Sequence, residues 1–168
     1  MQHFERLMDV LDQLGTADMT PKTELALWID MEPPTAFGKN SKASFGGRVV
    51  GDANRASTKD TIRTELRKVL DHPKIEDDAI EVVVVVCYPY TSAQAKKHKN
   101  ARFNCLPRLQ TPDVDAALTT VMDAAQAALV YANDSRVFSA RTVKANGKNP
   151  GLGIIVRSYD AKDFELCP

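Results

Sequence analysis

Residues 79–88 read Ala-Ile-Glu-Val-Val-Val-Val-Val-Cys-Tyr and include the longest apolar run of the chain, Val82 to Cys87. Its five consecutive valines are β-branched, and this side-chain type favours extended backbone. A strand with one face in water alternates apolar and polar residues, whereas an unbroken apolar run leaves no face for solvent. The stretch therefore predicts a buried β-strand.

Helical and extended patterns alternate on both sides of this strand. The helices are predicted at 2–14, at 57–70 with Ser57 as N-cap, and at 115–131 with Asp115 as N-cap. The strands are predicted at 25–31, 48–50, 79–88, 136–144 and 151–159, the last two forming a hairpin around Asn146-Gly147. Residues 35–56 are predicted to be a loop that holds the short strand at 48–50, and residues 91–112 are predicted to be an irregular basic loop. The order predicts an α+β fold with a mixed β-sheet and two main helices in one domain, residues 21–168, preceded by an amphipathic helical extension over residues 1–20.

Composition restricts the class of protein. With 168 residues, a net charge of zero and 43% hydrophobic residues, the chain is long enough to bury a core and is not of disordered composition. Its three cysteines include no C-x-x-C pair, which fits a reducing compartment and argues against zinc. No signal peptide is recognisable, and the longest apolar run, Val82 to Cys87, is too short to cross a membrane. We therefore expect a cytoplasmic protein without membrane contact.

The neutral total charge hides a basic segment at residues 91–112. This segment contains no Asp or Glu, and its cations are Lys96, Lys97, Lys99, Arg102 and Arg108. Residues 36–59 are also basic, with five Lys or Arg against one Asp. Either stretch alone is accounted for as a solvated loop, but the first runs directly into a group of aspartates. Cations that border an acidic pocket are typical of proteins that bind and hydrolyse phosphodiesters.

Three aspartates are the candidate metal ligands. Asp113 and Asp115 precede the third predicted helix, and Asp134 follows it, 21 residues after Asp113. Carboxylate oxygens are the ligands that Mg²⁺ and Mn²⁺ prefer, and three carboxylates in one place need a cation to neutralise them. The same residues also fit a structural interpretation, because Asp caps helices and Asn-Asp pairs form turns.

The chain resembles the RusA-like Holliday junction resolvases, a family common in phages and prophages. The resemblance covers about residues 24–159 and rests on five motifs: Glu32-Pro-Pro-Thr35, Asp113-Val-Asp115, Met122-Asp-Ala124, Tyr131-Ala-Asn-Asp-Ser-Arg-Val137 and Ala140-Arg-Thr-Val-Lys144. It implies a Mg²⁺-dependent endodeoxyribonuclease that resolves four-way DNA junctions in recombination and repair. Asp113, Asp115 and Asp134 are then the catalytic and metal-binding acids. The five cations of the basic segment, together with Arg136 and Lys144, are the candidate DNA-binding residues.

Two positions depart from the family pattern. The Asn that follows the second Asp is Ala116 here, and the catalytic Lys four residues beyond that Asp is Thr119. Arg136 and Lys144 are candidates to replace the lost cation, because their even spacing predicts one face of a strand. The alternative is a branched-DNA-binding protein of the same fold with weak or no catalysis. A hydrolase of small phosphoesters and a purely structural protein are further alternatives.

Helix geometry predicts how the chain assembles. A continuous helix over about 15 residues would be about 22 Å long, and residues 131–134 can retrace at most about 10 Å of that length. Asp134 would then fail to reach Asp113 within one chain, unless the helix breaks near residues 123–126. An antiparallel arrangement of this helix in a two-fold dimer would bring the acids together twice. Members of the family it resembles are homodimers, so we expect a homodimer with composite sites.

Overall fold

The computed structural model describes residues 20–31, 33, 43–45, 48–50, 53–69, 75, 78–97, 105–109, 113–160 and 162. The strands are β1 (Thr23–Ile29), β2 (Ala43–Phe45), β3 (Arg48–Val50), β4 (Ala79–Pro89), β5 (Cys105–Pro107), β6 (Val137–Gly147) and β7 (Gly151–Tyr159). The helices are α1 (Ala53–Val69), α2 (Ser92–Lys97) and α3 (Val114–Ala127), with a 3-10 turn at Asp134–Arg136. The predicted α+β fold is confirmed. The predicted N-terminal helix lies outside the described residues, and the division at residue 20 stays a prediction.

The valine-rich strand β4 lies in the middle of a five-stranded mixed sheet, in the order β1-β7-β4-β6-β5. Ile80 through Tyr88 are all buried, as the unbroken apolar run predicted. β4 runs parallel to β6 and antiparallel to β7, and the two remaining neighbour pairs, β1 with β7 and β5 with β6, are antiparallel. β2 and β3 form a separate two-stranded sheet.

The predicted hairpin between the last two strands is wrong. β6 and β7 do not pair with each other, because β4 lies between them and pairs with both. The connection from Gly147 to Gly151 can extend over about 14 Å, more than the roughly 9.6 Å of two strand spacings. A strand that is apolar on both faces buries most of its surface in the middle of a sheet. β4 therefore lies between β6 and β7, where it prevents them from pairing with each other.

The two faces of the sheet have different partners. Val82, Val84 and Val86 belong to the main core, together with side chains of α1 and α3 such as Leu66 and Val121. This face, called here the helix face, carries both long helices, and α3 packs on β4 and β6.

The opposite face contains Val83, Val85 and Ile155, with Trp28 packed against them. The Trp28 ring lies so close to Gly151 that a Cβ there would come within 2.5 Å of it. The two glycines of the Gly151-x-Gly153 motif thus make room for an aromatic ring in the core, which is a packing role.

Several predicted boundaries shift. α1 begins at Ala53, so Ser57 lies inside the helix instead of capping it, and α3 ends at Ala127, earlier than the predicted residue 131. The basic segment is not irregular throughout, because it contains α2 and β5. None of the described helices is long and apolar enough to cross a membrane. The cytoplasmic location stays a prediction.

Candidate active site

Asp113 and Asp115 lie at the N-terminal end of α3. Asp113 has extended backbone (φ −69°, ψ 146°) at the N-cap position, yet its side chain makes no capping hydrogen bond. Its carboxylate is exposed and makes no hydrogen bond or ion pair with any described residue. Asp115 is exposed in the first turn of α3, where the partial positive charge of the helix terminus favours a carboxylate. The capping interpretation therefore does not account for the Asp113 carboxylate.

Asp134 lies in the 3-10 turn that precedes β6. The cap of this turn is Asn133, whose side chain accepts a hydrogen bond from the Ser135 amide at 3.0 Å. Asp134 itself is exposed, and its carboxylate makes no hydrogen bond or ion pair with another described residue. Asn133 thus has a structural role as the cap of this turn, whereas the Asp134 side chain does not cap it.

The structure does not bring the three aspartates together within one chain. α3 is an uninterrupted helix of 14 residues, so no break occurs near residues 123–126, and the helix is about 21 Å long. Asp113 precedes it, and Asp134 follows its far end. Among the described residues, no three His, Cys, Asp or Glu side chains form a group that could hold a metal ion. One chain therefore supplies Asp113 with Asp115 at one end of α3 and Asp134 at the other.

A tight turn and a buried tyrosine form the C-terminal end of α3. The amide of Leu129 (φ 66°) donates to the Gln126 carbonyl, and the amide of Val130 donates to the Ala125 carbonyl, both at 3.0 Å. These two bonds are those of a Schellman motif, in which glycine usually occupies the left-handed position. The turn reverses the chain directly after the helix and so leads it into the Asp134 turn.

Tyr131 lies beneath this end of α3, and its hydroxyl donates to the Met122 carbonyl at 3.1 Å. Burial raises the pKa of Tyr131 well above its ordinary value, and the nearby carboxylates of Asp134 and Asp123 raise it further. Asp123 also pairs with Lys59 of α1, at 3.2 Å. Asp123 and Asp134 therefore share the surroundings of one phenol, a proximity that their spacing in the sequence did not reveal.

A group of cations and polar side chains borders the opposite end of the sheet. The amide of Arg108 donates to the Lys144 carbonyl at 3.1 Å, which places Arg108 beside the C-terminal end of β6. Its guanidinium lies 4.1 Å from the centroid of the Tyr88 ring and donates to Asn146 Oδ1 at 2.9 Å. Burial raises the pKa of Tyr88 to about 12, against the opposing effect of the Arg108 charge. Lys144 is the register partner of Val86 and so lies on the helix face.

The other predicted DNA-binding residues are distributed unevenly. Lys96 is exposed on α2, and Lys97 ends that helix, while Lys99 and Arg102 lie outside the described residues. Arg136 is exposed in the 3-10 turn, not in β6. The prediction that Arg136 shares a strand face with Lys144 is therefore wrong, because strand alternation begins only at Val137.

The two departures from the family pattern, Ala116 and Thr119, both follow Asp115 in the first turns of α3. Thr119 is exposed one helical turn further on, and its hydroxyl donates to the Asp115 carbonyl at 2.8 Å. Ala116 is half-buried and packs against the main core. Position 119 thus presents a surface site without charge, and position 116 contributes to packing.

A comparison with known protein families identifies the class. The family model described as endodeoxyribonuclease RusA matches residues 32–157, three quarters of the chain. The chain belongs to this family of Holliday junction endodeoxyribonucleases, which confirms the resemblance that the aspartate motifs indicated. A search of curated proteins finds no match.

Proposed function

We propose that this protein is a metal-dependent, structure-selective endonuclease that resolves four-way DNA junctions as a homodimer. Each active site would combine Asp113 and Asp115 of one chain with Asp134 of the partner subunit. The observation that supports the proposal is the unbroken α3, which is about 21 Å long and has Asp113 before one end and Asp134 beyond the other. Among the described residues, the carboxylates of Asp113 and Asp134 make no hydrogen bond or ion pair. A two-fold axis repeats such a site twice, as two symmetric nicks require.

The chemistry of the donor set fits a hard divalent cation. The three proposed ligands are carboxylates, which suit Mg²⁺ or Mn²⁺ and not the softer metals. When bound, such a cation activates water and neutralises the charge that develops on the phosphate oxygens. Asp113 contributes an exposed carboxylate that does not cap its own helix, and Asp115 a carboxylate favoured by the helix terminus.

The basic segment supports DNA binding beside this site. Lys96 is exposed on α2, and Arg108 reaches the end of the sheet that borders α3. Contacts of this kind position the phosphate backbone without reading sequence. Replacing Lys96, Lys97 and Lys99 by Gln should weaken binding to every DNA shape and flatten its salt dependence by about one log unit of slope per lost phosphate contact. An unchanged slope would show that the three lysines are only solvated.

A second candidate function is a branched-DNA-binding protein that cuts poorly. The observation that favours it is Thr119, whose hydroxyl is bonded to its own helix where the family pattern has a catalytic lysine. Loss of one such cation weakens transition-state stabilisation by on the order of 3 kcal/mol.

Incubation of labelled DNA with Mg²⁺ or Mn²⁺ decides between the two functions. A four-way junction, a linear duplex and a single strand of matched sequence should be compared, together with the Asp113→Asn variant. We expect paired nicks in the junction alone, no nicks with Asp113→Asn, and junction binding by that variant at least as tight as wild type, because it removes negative charge near phosphate. Tight junction binding without cleavage in either metal would favour the second function. Equal cleavage by Asp113→Asn would remove that residue from the mechanism.

A further inference from the structure

The guanidinium of Arg108 is fixed before any DNA arrives. It stacks 4.1 Å from the centroid of the Tyr88 ring, and its Nη1 donates to Asn146 Oδ1 at 2.9 Å. Both neighbours are themselves buried, with 3% and 5% of their surface exposed. The backbone of Arg108 is held as well, by the bond from its amide to the Lys144 carbonyl. A side chain that is normally mobile therefore has a defined position.

That position lies on the helix face, at the end of the sheet where α3 begins. Tyr88 and Asn146 are register partners, and Tyr88 belongs to the core beneath the helices. α3 is about 21 Å long and leads back through a tight turn into β6, whose residues Val137 to Lys144 span about 23 Å. These lengths place the N-terminal end of α3, with Asp113 and Asp115, toward the same end of the sheet as Lys144 and Arg108.

Position 119 cannot supply a cation there. The Thr119 hydroxyl donates to the Asp115 carbonyl and carries no charge. The planar guanidinium of an arginine can donate two parallel hydrogen bonds to two phosphate oxygens. A guanidinium that is already ordered loses less conformational entropy when the phosphate binds. Lys96, by comparison, is exposed on α2 and makes no hydrogen bond or ion pair with a described residue.

We propose that Arg108 binds the scissile phosphate beside Asp113 and Asp115, and that it supplies the positive charge that Thr119 lacks. The inference rests on the proposed endonuclease function. Tyr88 and Asn146 are positioning residues, because they act on the phosphate only through the guanidinium. The competing explanation is that Arg108 has only a structural role, in which its hydrogen bonds to Lys144 and Asn146 hold the segment after β5 against β6.

Cleavage and binding should be measured separately on a labelled four-way junction. Single-turnover cleavage is followed in Mg²⁺ with protein in saturating excess, and binding is followed without divalent metal as a function of salt.

Arg108→Gln should lower the cleavage rate about 100-fold, the effect of removing one preorganised donor, and lower the salt slope by about one. Arg108→Lys should keep the salt slope of binding but lower the cleavage rate in part, because lysine retains the positive charge without the two parallel donors of the guanidinium. Asn146→Ala should lower the rate several-fold at an unchanged slope. Lys68→Gln, which removes a charge from the outer surface of α1, serves as the charge-matched control.

Rescue distinguishes a catalytic charge from a structural contact. Thr119→Lys should raise the rate less than threefold in the wild type, where Arg108 is present, and at least tenfold in the Arg108→Gln background. A structural role for Arg108 would not be restored by a lysine on a different element. The inference fails if Arg108→Gln cleaves within twofold of wild type, or if its lower rate comes with an unchanged salt slope and no rescue. If Arg108→Gln does not fold, Arg108→Lys with and without Thr119→Lys provides the same comparison. A wild type that cuts no junction would overturn the proposed function, while the salt slope would still test the phosphate contact.

Discussion

The two ends of α3 carry the same kind of residue in opposite surroundings. At the N-terminal end, Asp113 and Asp115 are exposed, and the nearby end of the sheet contributes Arg108 and Lys144. At the C-terminal end, Asp134 and Asp123 surround the buried, neutral phenol of Tyr131. Among the described residues, neither end alone groups three carboxylates that could hold a metal. Cations lie at both ends, because Lys59 pairs with Asp123 and Arg136 lies in the same turn as Asp134. In the proposed homodimer, the two ends would be halves of a site that a second copy completes.

The largest expected effect tests whether the aspartates at the two ends of α3 contribute to the same active site. Asp113→Asn and Asp134→Asn should each lower junction cleavage roughly 1,000-fold, on the order of 4 kcal/mol of transition-state stabilisation, because each removes a proposed ligand. A heterodimer of one Asp113→Asn chain and one Asp134→Asn chain would retain one intact composite site. Single-strand nicking by the purified, doubly tagged heterodimer is the measurement.

The matched control is Asp160→Asn. Asp160 is an exposed carboxylate after β7 that accepts a hydrogen bond from the Lys162 amide, and its loss should leave cleavage at the wild-type rate. A verified heterodimer that is as inactive as its two parents would show that the acids do not combine across subunits.

The two ends also differ in a buried tyrosine whose ionisation makes the free energy of unfolding depend on pH. Burial raises the pKa of Tyr88 to about 12, with Arg108 opposing, whereas burial and two carboxylates together raise the pKa of Tyr131. A raised pKa favours the neutral form in the folded state. Its contribution to stability is therefore complete below pH 10, the ordinary tyrosine pKa, and is lost as the pH rises toward 12. The loss should be about 1.4 kcal/mol per pH unit for each tyrosine in that interval.

Urea unfolding at pH 8, 10 and 11.5 measures this dependence. Tyr88→Phe and Tyr131→Phe should each reduce the loss of unfolding free energy above pH 10. The larger reduction is expected for Tyr131→Phe, because two carboxylates add to the effect of burial on the pKa of Tyr131. At pH 8, Tyr131→Phe should cost about 1 kcal/mol, because the bond from its hydroxyl to the Met122 carbonyl is lost. Identical pH profiles for both variants and the wild type would contradict the assigned pKa directions.

The smallest effect concerns the turn that separates the two ends. Leu129 has φ 66° and is 57% exposed, so its side chain gains little from packing in the single chain. Leu129→Gly should relieve the left-handed strain and stabilise the fold by about 0.5–1 kcal/mol, or roughly 2–3 °C in Tm. Leu129→Asn serves as a second test, because Asn also tolerates this conformation. Destabilisation by both variants would show that the leucine side chain makes a contact in the assembled protein.

The sequence predicted the parts of the fold that depend on local pattern. The valine run of β4 is buried as expected, since a strand without a polar face has no other stable environment. The helix that follows Asp113 was also predictable from its alanine-rich run. Its end was placed at residue 131 instead of Ala127, because the turn at Leu129 uses no glycine and gave no stop signal. Pairing was not predictable in the same way: Asn146-Gly147 indicated a hairpin, and the insertion of β4 between β6 and β7 prevented it.

Residue type and spacing along the chain were enough to indicate the RusA family and to name the candidate residues, which are three aspartates and a neighbouring basic segment. Only the tertiary structure decided which of these residues meet. It placed Asp113 and Asp134 beyond opposite ends of an unbroken helix. It also placed Lys144 on the helix face but Arg136 outside the strand, and it set Arg108 against Tyr88 and Asn146. The physical reason is that helix continuity and strand register are fixed by burial over the whole sheet, and spacing in sequence does not record which edge of β4 each neighbour takes.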